Sequence, residues 1–172
     1  MQVTVKLRGI REIREAFEQL PRKINRKILN DGLIAGARLV RDEAKARVPL
    51  LKFPDPRRLR GALQRAIHAG RVRPEGRAAA TVWIRVRPLT KGQISRFKKA
   101  RAKKGMKVAG ALNPNDPFYW RFVEFGTSKM AAWPFLRPAF EARKYAMVDR
   151  AMDIFRLRVQ AEIAKLGQRS YA

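Results

Sequence analysis

The sequence of 172 residues contains no cysteine and a single histidine, His68. Without cysteine the chain can form neither a disulfide nor a thiolate metal site, and one histidine cannot supply a set of imidazole ligands. The sequence also lacks a glycine-rich phosphate loop, a nucleophilic serine with a histidine partner, and a pair of acids in a motif typical of acid–base catalysis. We therefore expect no catalytic residue, no metal, no cofactor and no enzymatic activity.

Acidic residues are few, since 14 Asp and Glu stand against 40 Lys and Arg, giving a formal net charge of +26 at pH 7. An excess of this size opposes compaction through self-repulsion and attracts polyanions. It predicts a protein that works beside nucleic acid or an acidic protein partner. Composition by itself favours a basic nucleic-acid-binding protein of the nucleoid-like or RNA-binding kind, and this stays open as an alternative function.

Long apolar runs are absent as well. No segment approaches the roughly 18 to 20 apolar residues that cross a bilayer, and the basic N-terminus is not followed by the apolar region of a signal peptide. We expect a soluble protein that makes no contact with a membrane. A chain of this length with 46% hydrophobic residues can bury one ordinary core, which predicts a single domain over residues 1–172.

The apolar residues that are present follow two periods. Alternation with polar residues predicts strands, with His68 as an ordinary strand residue, whereas steps of three and four residues predict amphipathic helices. Strands are predicted at residues 1–7, 66–68 and 78–86, and helices at residues 11–20, 22–48 and 138–166. The expected fold class is α+β: a small, mostly antiparallel sheet packed by two N-terminal helices and a long C-terminal helix.

The most informative stretch is residues 118–138, which begins with aromatic residues crowded around one acid, Glu124. Its composition predicts a buried strand over residues 118–125, and Gly126 is expected to adopt a backbone conformation that a Cβ would penalise. Glu124 is interpreted as the partner of a fixed arginine or of backbone N–H groups in the turn. Pro138 fits the first turn of the following helix, because its missing N–H needs no partner there.

Two short motifs within this stretch resemble those of a known family. They comprise Phe122, Val123, Glu124, Phe125, Gly126 and Thr127, followed by Pro134, Phe135, Leu136, Arg137 and Pro138. At this spacing they resemble the tail-completion proteins of long-tailed bacteriophages, also called head–tail joining or neck proteins. The similarity extends to the N-terminal half, where Pro49 follows an alanine-rich helix end, but the threonine-glycine pair that relatives carry after it is absent.

The resemblance implies a structural virion protein of a tailed phage or prophage, located at the neck or tail top after assembly in the host cytoplasm. Its implied role is tail completion at the head-proximal end of the tail and head–tail joining. The implied partners are copies of itself in a ring, which family analogy makes a hexamer, together with portal-side connector (head-closure) proteins and the tail terminator and tail tube proteins. Genomic DNA in the passage through such a ring is a further candidate partner.

The resemblance does not explain a basic insertion at about residues 88–117, within which residues 93–104 are predicted to form a short helix. Because like-charge blocks often stay disordered until they bind, a mobile solvated loop is one interpretation. The other is an arm that contacts DNA phosphates or acidic surfaces of neighbouring rings. The candidate contact residues are Arg57, Arg58, Arg60, Lys98, Lys99, Arg101, Lys103 and Lys104.

Overall fold

The computed structural model describes residues 20–51, 58–72, 80–106 and 113–169 of the chain. In chain order the elements are α1 (Arg22–Arg47), α2 (Ala62–Ala66), β1 (Ile67–Val72), β2 (Thr81–Val86), α3 (Lys91–Lys103), α4 (Trp120–Phe125) and α5 (Leu136–Arg169). The strands form a two-stranded antiparallel sheet, and the predicted α+β class is confirmed. Within the described part, no helix is long and apolar enough to cross a membrane.

Most elements predicted from periodicity are present near their predicted positions. The long helices predicted at residues 22–48 and 138–166 correspond to α1 and α5, and the short helix predicted at residues 93–104 corresponds to α3. His68 lies in β1, as predicted. The strand predicted at residues 1–7, and all but the last residue of the first predicted helix, lie outside the described residues.

The chain divides into two compact units, which we describe separately. The first contains the described residues of Met1–Arg38, Gly70–Trp83 and Tyr145–Ala172, and the second contains those of Leu39–Ala69 and Ile84–Lys144. Both long helices, α1 and α5, contribute residues to each unit.

The core of the first unit lies where α1 packs against α5. Its buried residues are Leu20, Ile28, Ala151, Met152, Phe155 and Val159. Two glycines of α1 permit this close packing, because a Cβ on Gly32 would collide with the ring of Phe155 and one on Gly36 with the backbone of Met147. Since the later residue of α1 meets the earlier residue of α5, the two helix segments run in opposite directions.

The core of the second unit is built from the end of α1, from α2 and from the segments around α4 and the start of α5. Its largest buried apolar side chains belong to Val40, Val48, Leu63, Ile67, Val86, Tyr119 and Phe135. At its surface, Glu43 accepts hydrogen bonds from Arg143 at 2.9 Å and from Arg47 at 2.8 Å. The hydrogen bonds from these two guanidinium groups lower the pKa of Glu43 below its ordinary value, and the bond from Arg143 has the larger effect.

The strand predicted over residues 118–125 is wrong, because this segment contains the helix α4. The N–H of Gly126 donates to the carbonyl oxygen of Phe122 at 3.0 Å, which is a helical hydrogen bond. The helical period turns Glu124 inward, with 5% exposure, and leaves Phe122 and Phe125 exposed by 50% and 74%. Aromatic and β-branched residues favour strands by composition, but the backbone donors that meet the inward carboxylate override this preference.

Candidate functional site

The carboxylate of Glu124 joins α4 to the beginning of α5. Its Oε2 accepts hydrogen bonds from the backbone N–H groups of Phe135 at 2.8 Å and Leu136 at 3.0 Å, and its Oε1 accepts one from Arg137 at 3.2 Å. The first N–H groups of a helix have no partner within the helix, and a negative charge is favourable beside them. Of the two roles considered for Glu124, the structure therefore selects the contact with backbone N–H groups.

The turn between α4 and α5 is held by its backbone. Gly126 has φ 74° and ψ −177°, a conformation that side chains other than hydrogen strongly disfavour, so the expectation for this glycine is confirmed. The N–H of Trp133 donates to the carbonyl oxygen of Val123 at 2.7 Å, and that of Thr127 to Met130 at 2.8 Å. Pro138 lies in the first turn of α5, as predicted.

Four large apolar side chains project to solvent from this fixed turn, and we call them the motif patch. Phe122 and Phe125 on α4 are 50% and 74% exposed, and Met130 and Trp133 after it are 43% and 63% exposed. The sequence interpretation missed the patch, because aromatic residues beside a valine resemble a buried core. The spacing of Phe122 and Phe125 places both on one face of α4, a relation that is visible only once the segment is known to be helical.

The first group of predicted contact residues precedes α2. Arg57 lies outside the described residues, while Arg58 and Arg60 are exposed. The guanidinium carbon of Arg58 stands 4.5 Å from the centroid of the Tyr119 ring, a distance suited to a cation–π contact. The guanidinium group of Arg58 thus lies over a buried ring, although the residue as a whole is exposed.

The second group of predicted contact residues lies on and just after α3. This helix begins with a capping box, in which the side chains of Thr90 and Gln93 exchange hydrogen bonds with backbone N–H groups, and none of its residues is buried. Lys98, Lys99, Lys103 and Lys104 are exposed, and Arg101 lies over the ring of Phe97 at 5.8 Å. The described members of both groups belong to the second unit, with Arg58 and Arg60 before α2 and the others on or just after α3.

His68 lies beside the start of α3, in an open cavity of about 500 Å³ that Arg65, Arg87 and Gln93 also line. Burial lowers the pKa of His68 below its ordinary value of 6.5, and the positive charges of Lys45, Arg87 and Arg41 lower it further. The imidazole is therefore neutral near pH 7, and the electrostatic field around it is positive. A bound anion would raise this pKa.

No group of three or more potential ligands that could hold a metal ion occurs among the residues that the structure describes. The buried acid of the motif is a helix cap, and the exposed residues around it include the four apolar side chains of the motif patch. An α+β fold that fixes such a patch in place is typical of a protein that assembles with other proteins.

A family model described as "Bacteriophage HK97-gp10, putative tail-component" matches residues 11–126, which is more than half of the chain. The chain belongs to this family of bacteriophage tail components, and the resemblance seen in the sequence is confirmed at this level. The match includes the first motif as far as Gly126 and stops before Pro134. Neither a curated protein nor a solved structure matches the chain.

Proposed function

We propose that the protein completes the head-proximal end of a phage tail and helps the tail join the capsid connector, as a structural component without enzymatic activity. The observation that carries this proposal is the motif patch. A surface of four exposed apolar side chains on a turn fixed by Glu124 is suited to contact with a neighbouring subunit. In this proposal residues 1–172 act as one domain, with residues 88–117 as its basic insertion.

The occupant that we propose for the motif patch is a second copy of the chain, so that several copies close into a ring. Copies that each carry a charge of +26 repel one another, and an apolar contact is the kind of interaction that can offset this repulsion. Family analogy suggests a hexamer at the neck or tail top. The ring would meet portal-side connector proteins on one side and the tail terminator and tail tube on the other.

Replacing Phe125 and Trp133 with serine should prevent the joining of heads to tails. Each aromatic side chain buried at an interface contributes about 2 kcal/mol, so the dissociation constant between copies should rise at least roughly thirtyfold for each change. The measurement is electron microscopy of particles from a phage whose own copy carries both substitutions. We expect filled heads and separate tails, together with loss of rings from purified tails in native mass spectrometry.

The control is Tyr145→Ser, since Tyr145 is 60% exposed, close to the 63% of Trp133, and belongs to α5 outside the motif patch. This variant should give joined particles in normal numbers. Normal yields from the Phe125 and Trp133 double variant, with rings of unchanged mass, would contradict the proposed ring contact.

We further propose that the two basic groups face a polyanion, either the DNA that leaves the head or the acidic surfaces of neighbouring rings. The observation behind this is α3, which carries exposed lysines and buries none of its residues. Duplex DNA presents a negative charge about every 1.7 Å of its axis, so a ring of such chains would attract it without regard to sequence. A nucleic-acid-binding protein that acts outside the virion is the second candidate function, and the same charges favour it.

Replacing the five insertion residues Lys98, Lys99, Arg101, Lys103 and Lys104 with glutamine should weaken binding to duplex DNA and flatten its salt dependence. Each lost phosphate contact reduces the slope of log affinity against log salt by about 0.9. The readouts are DNA titrations at several salt concentrations and the pKa of His68 by NMR, which bound DNA should raise. The matched control replaces five exposed basic residues outside the insertion with glutamine: Arg22, Lys23, Arg26 and Lys27 on α1 and Lys165 on α5.

If the slope and the affinity stay unchanged while head–tail joining is lost, the charges meet protein and the contact with DNA is wrong. If both DNA parameters fall while particles join and eject normally, the second candidate function is favoured.

A further inference from the structure

The first unit contains an open cavity of about 540 Å³ beside α1, β1 and α5. Part of its lining is apolar, with Ile34 from α1 and Ile154 and Leu157 from α5. Leu157 is exposed by 62%, so the apolar wall is accessible from solvent. A volume of this size accommodates a few side chains of a partner, not a folded domain.

Four arginines line the same cavity: Arg38 on α1, Arg71 on β1, and Arg150 and Arg158 on α5. Its lining contains one acid, Asp31, which pairs with Arg71 at 2.7 Å and with Arg158 at 3.7 Å. Four arginines and one aspartate give the lining a net charge of +3. Among the described residues no acid pairs with Arg38 or Arg150, so no described carboxylate competes with an anionic partner for these two guanidinium groups.

We propose that this cavity, which we call the arginine groove, docks an acidic amphipathic segment of another protein. Carboxylates of the segment pair with Arg38 and Arg150, whose planar guanidinium groups bind carboxylates through two hydrogen bonds. An apolar side chain between those carboxylates covers Leu157. The arginines favour carboxylates and Leu157 favours an apolar side chain, and an acidic amphipathic segment supplies both. The proposal does not depend on head–tail joining and goes beyond it.

The apolar residues of the groove favour an acidic amphipathic segment over polyanions that have no apolar side chains. Duplex DNA could pair phosphates with the arginines but would leave Leu157 uncovered, because its outer edge is charged along its whole length. Most of a second copy is a poor source of the segment, since the sequence holds 14 acids against 40 basic residues, and the exception at residues 11–20 is tested below.

The test uses the full chain and a short synthetic peptide that alternates glutamates with leucines in a helical pattern, titrated by calorimetry or fluorescence anisotropy. Replacing Arg38 and Arg150 with glutamine should weaken binding about tenfold or more. Leu157→Ala, tested separately, should weaken binding roughly tenfold through the lost apolar contact. These three residues are exposed, so the variants should retain the melting temperature of the parent chain.

The matched control replaces Lys23 and Arg26, which are exposed residues of α1 outside the groove, with glutamine. This variant loses the same charge and should bind the peptide within about twofold of the parent. Equal weakening in the control and in the groove variant would overturn the proposal, because the attraction would then be general. Equal affinity for a peptide of glutamates alone, or for duplex DNA that competes at the groove, would overturn it as well.

One alternative occupant is encoded in the chain itself. Residues 11–20 carry Glu12, Glu15 and Glu18 beside apolar residues, and although Arg11 and Arg14 reduce their charge, the segment is acidic and partly apolar. We therefore include a variant in which these three glutamates are glutamines. Peptide binding that emerges only in this variant would show that the groove receives the chain's own segment, and the proposed external partner would be wrong. Equal binding with and without the glutamates supports the external partner.

Discussion

Replacing Glu124 with alanine should lower the free energy of unfolding by about 3 kcal/mol, because backbone N–H groups at a largely buried helix start lose their acceptors. The groups affected belong to Phe135, Leu136 and Arg137. For a chain of this length such a loss lowers the melting temperature by roughly 6–12 °C. The measurement is thermal unfolding followed by circular dichroism, with chemical denaturation to obtain the free energy.

Glu124→Gln separates the charge from the shape of this side chain. The amide keeps one oxygen acceptor but replaces the other with an NH₂ group that cannot accept a hydrogen bond, so an intermediate loss is expected. The control is Glu141→Gln, because Glu141 is exposed on the same helix and pairs with Lys144 at 2.6 Å. This surface change should cost less than about 0.5 kcal/mol. If Glu124→Ala melts like the control, the carboxylate does not hold the start of α5.

Replacing Gly126 with alanine should destabilise the protein by about 2 kcal/mol or more. The backbone at Gly126 has φ 74°, and an added Cβ would stand 2.8 Å from the backbone nitrogen of Ala132 and 3.0 Å from the carbonyl oxygen of Met130. Both neighbours are backbone atoms of the same turn, so they cannot rotate away as a flexible side chain would. Melting temperature and the yield of joined particles should fall together, since the turn also presents the motif patch.

Two other glycines serve as controls, because they separate the cost of a positive φ from the cost of steric contact with the added Cβ. Gly105 has φ 67° but open space around it, so Gly105→Ala should show the cost of the backbone conformation alone, about 1 kcal/mol. Gly92 lies in α3 with open space and no positive φ, so Gly92→Ala should be neutral or stabilising by up to about 1 kcal/mol. A loss at Gly126 no larger than that at Gly105 would mean that the turn relaxes around the added Cβ.

The helix α5 could be predicted from the sequence, whereas the arginine groove that it lines could not. Its stripe of apolar residues at three- and four-residue steps predicted the helix, because that period is a property of the chain itself. The arginine groove could not be predicted in the same way, because Arg38, Arg71 and Arg150 belong to three distant segments. Only the packing of α1, β1 and α5 shows that they line one cavity.

The segment around Glu124 shows where prediction from the sequence failed. The six residues of α4 are too few for helical and strand periods to be told apart, so composition predicted a strand over residues 118–125, the segment that contains α4. The need for glycine at position 126 was predictable, since a sharp turn after aromatic residues commonly requires that conformation. The sequence is compatible with Glu124 meeting either an arginine or backbone N–H groups.

The α+β class, the long helices, the constrained glycine, the strong positive charge and the family motifs could all be predicted from the chain, because each depends on local periodicity, composition or residue identity. The tertiary structure decided that Glu124 caps the start of α5, that Phe125 and Trp133 face solvent, and that the arginines of the groove converge. The physical reason is that exposure, hydrogen bonding and convergence depend on which distant segments pack together. The residue type of an aromatic side chain does not show whether that side chain is buried or exposed. Burial depends on which other residues pack against it in the folded protein.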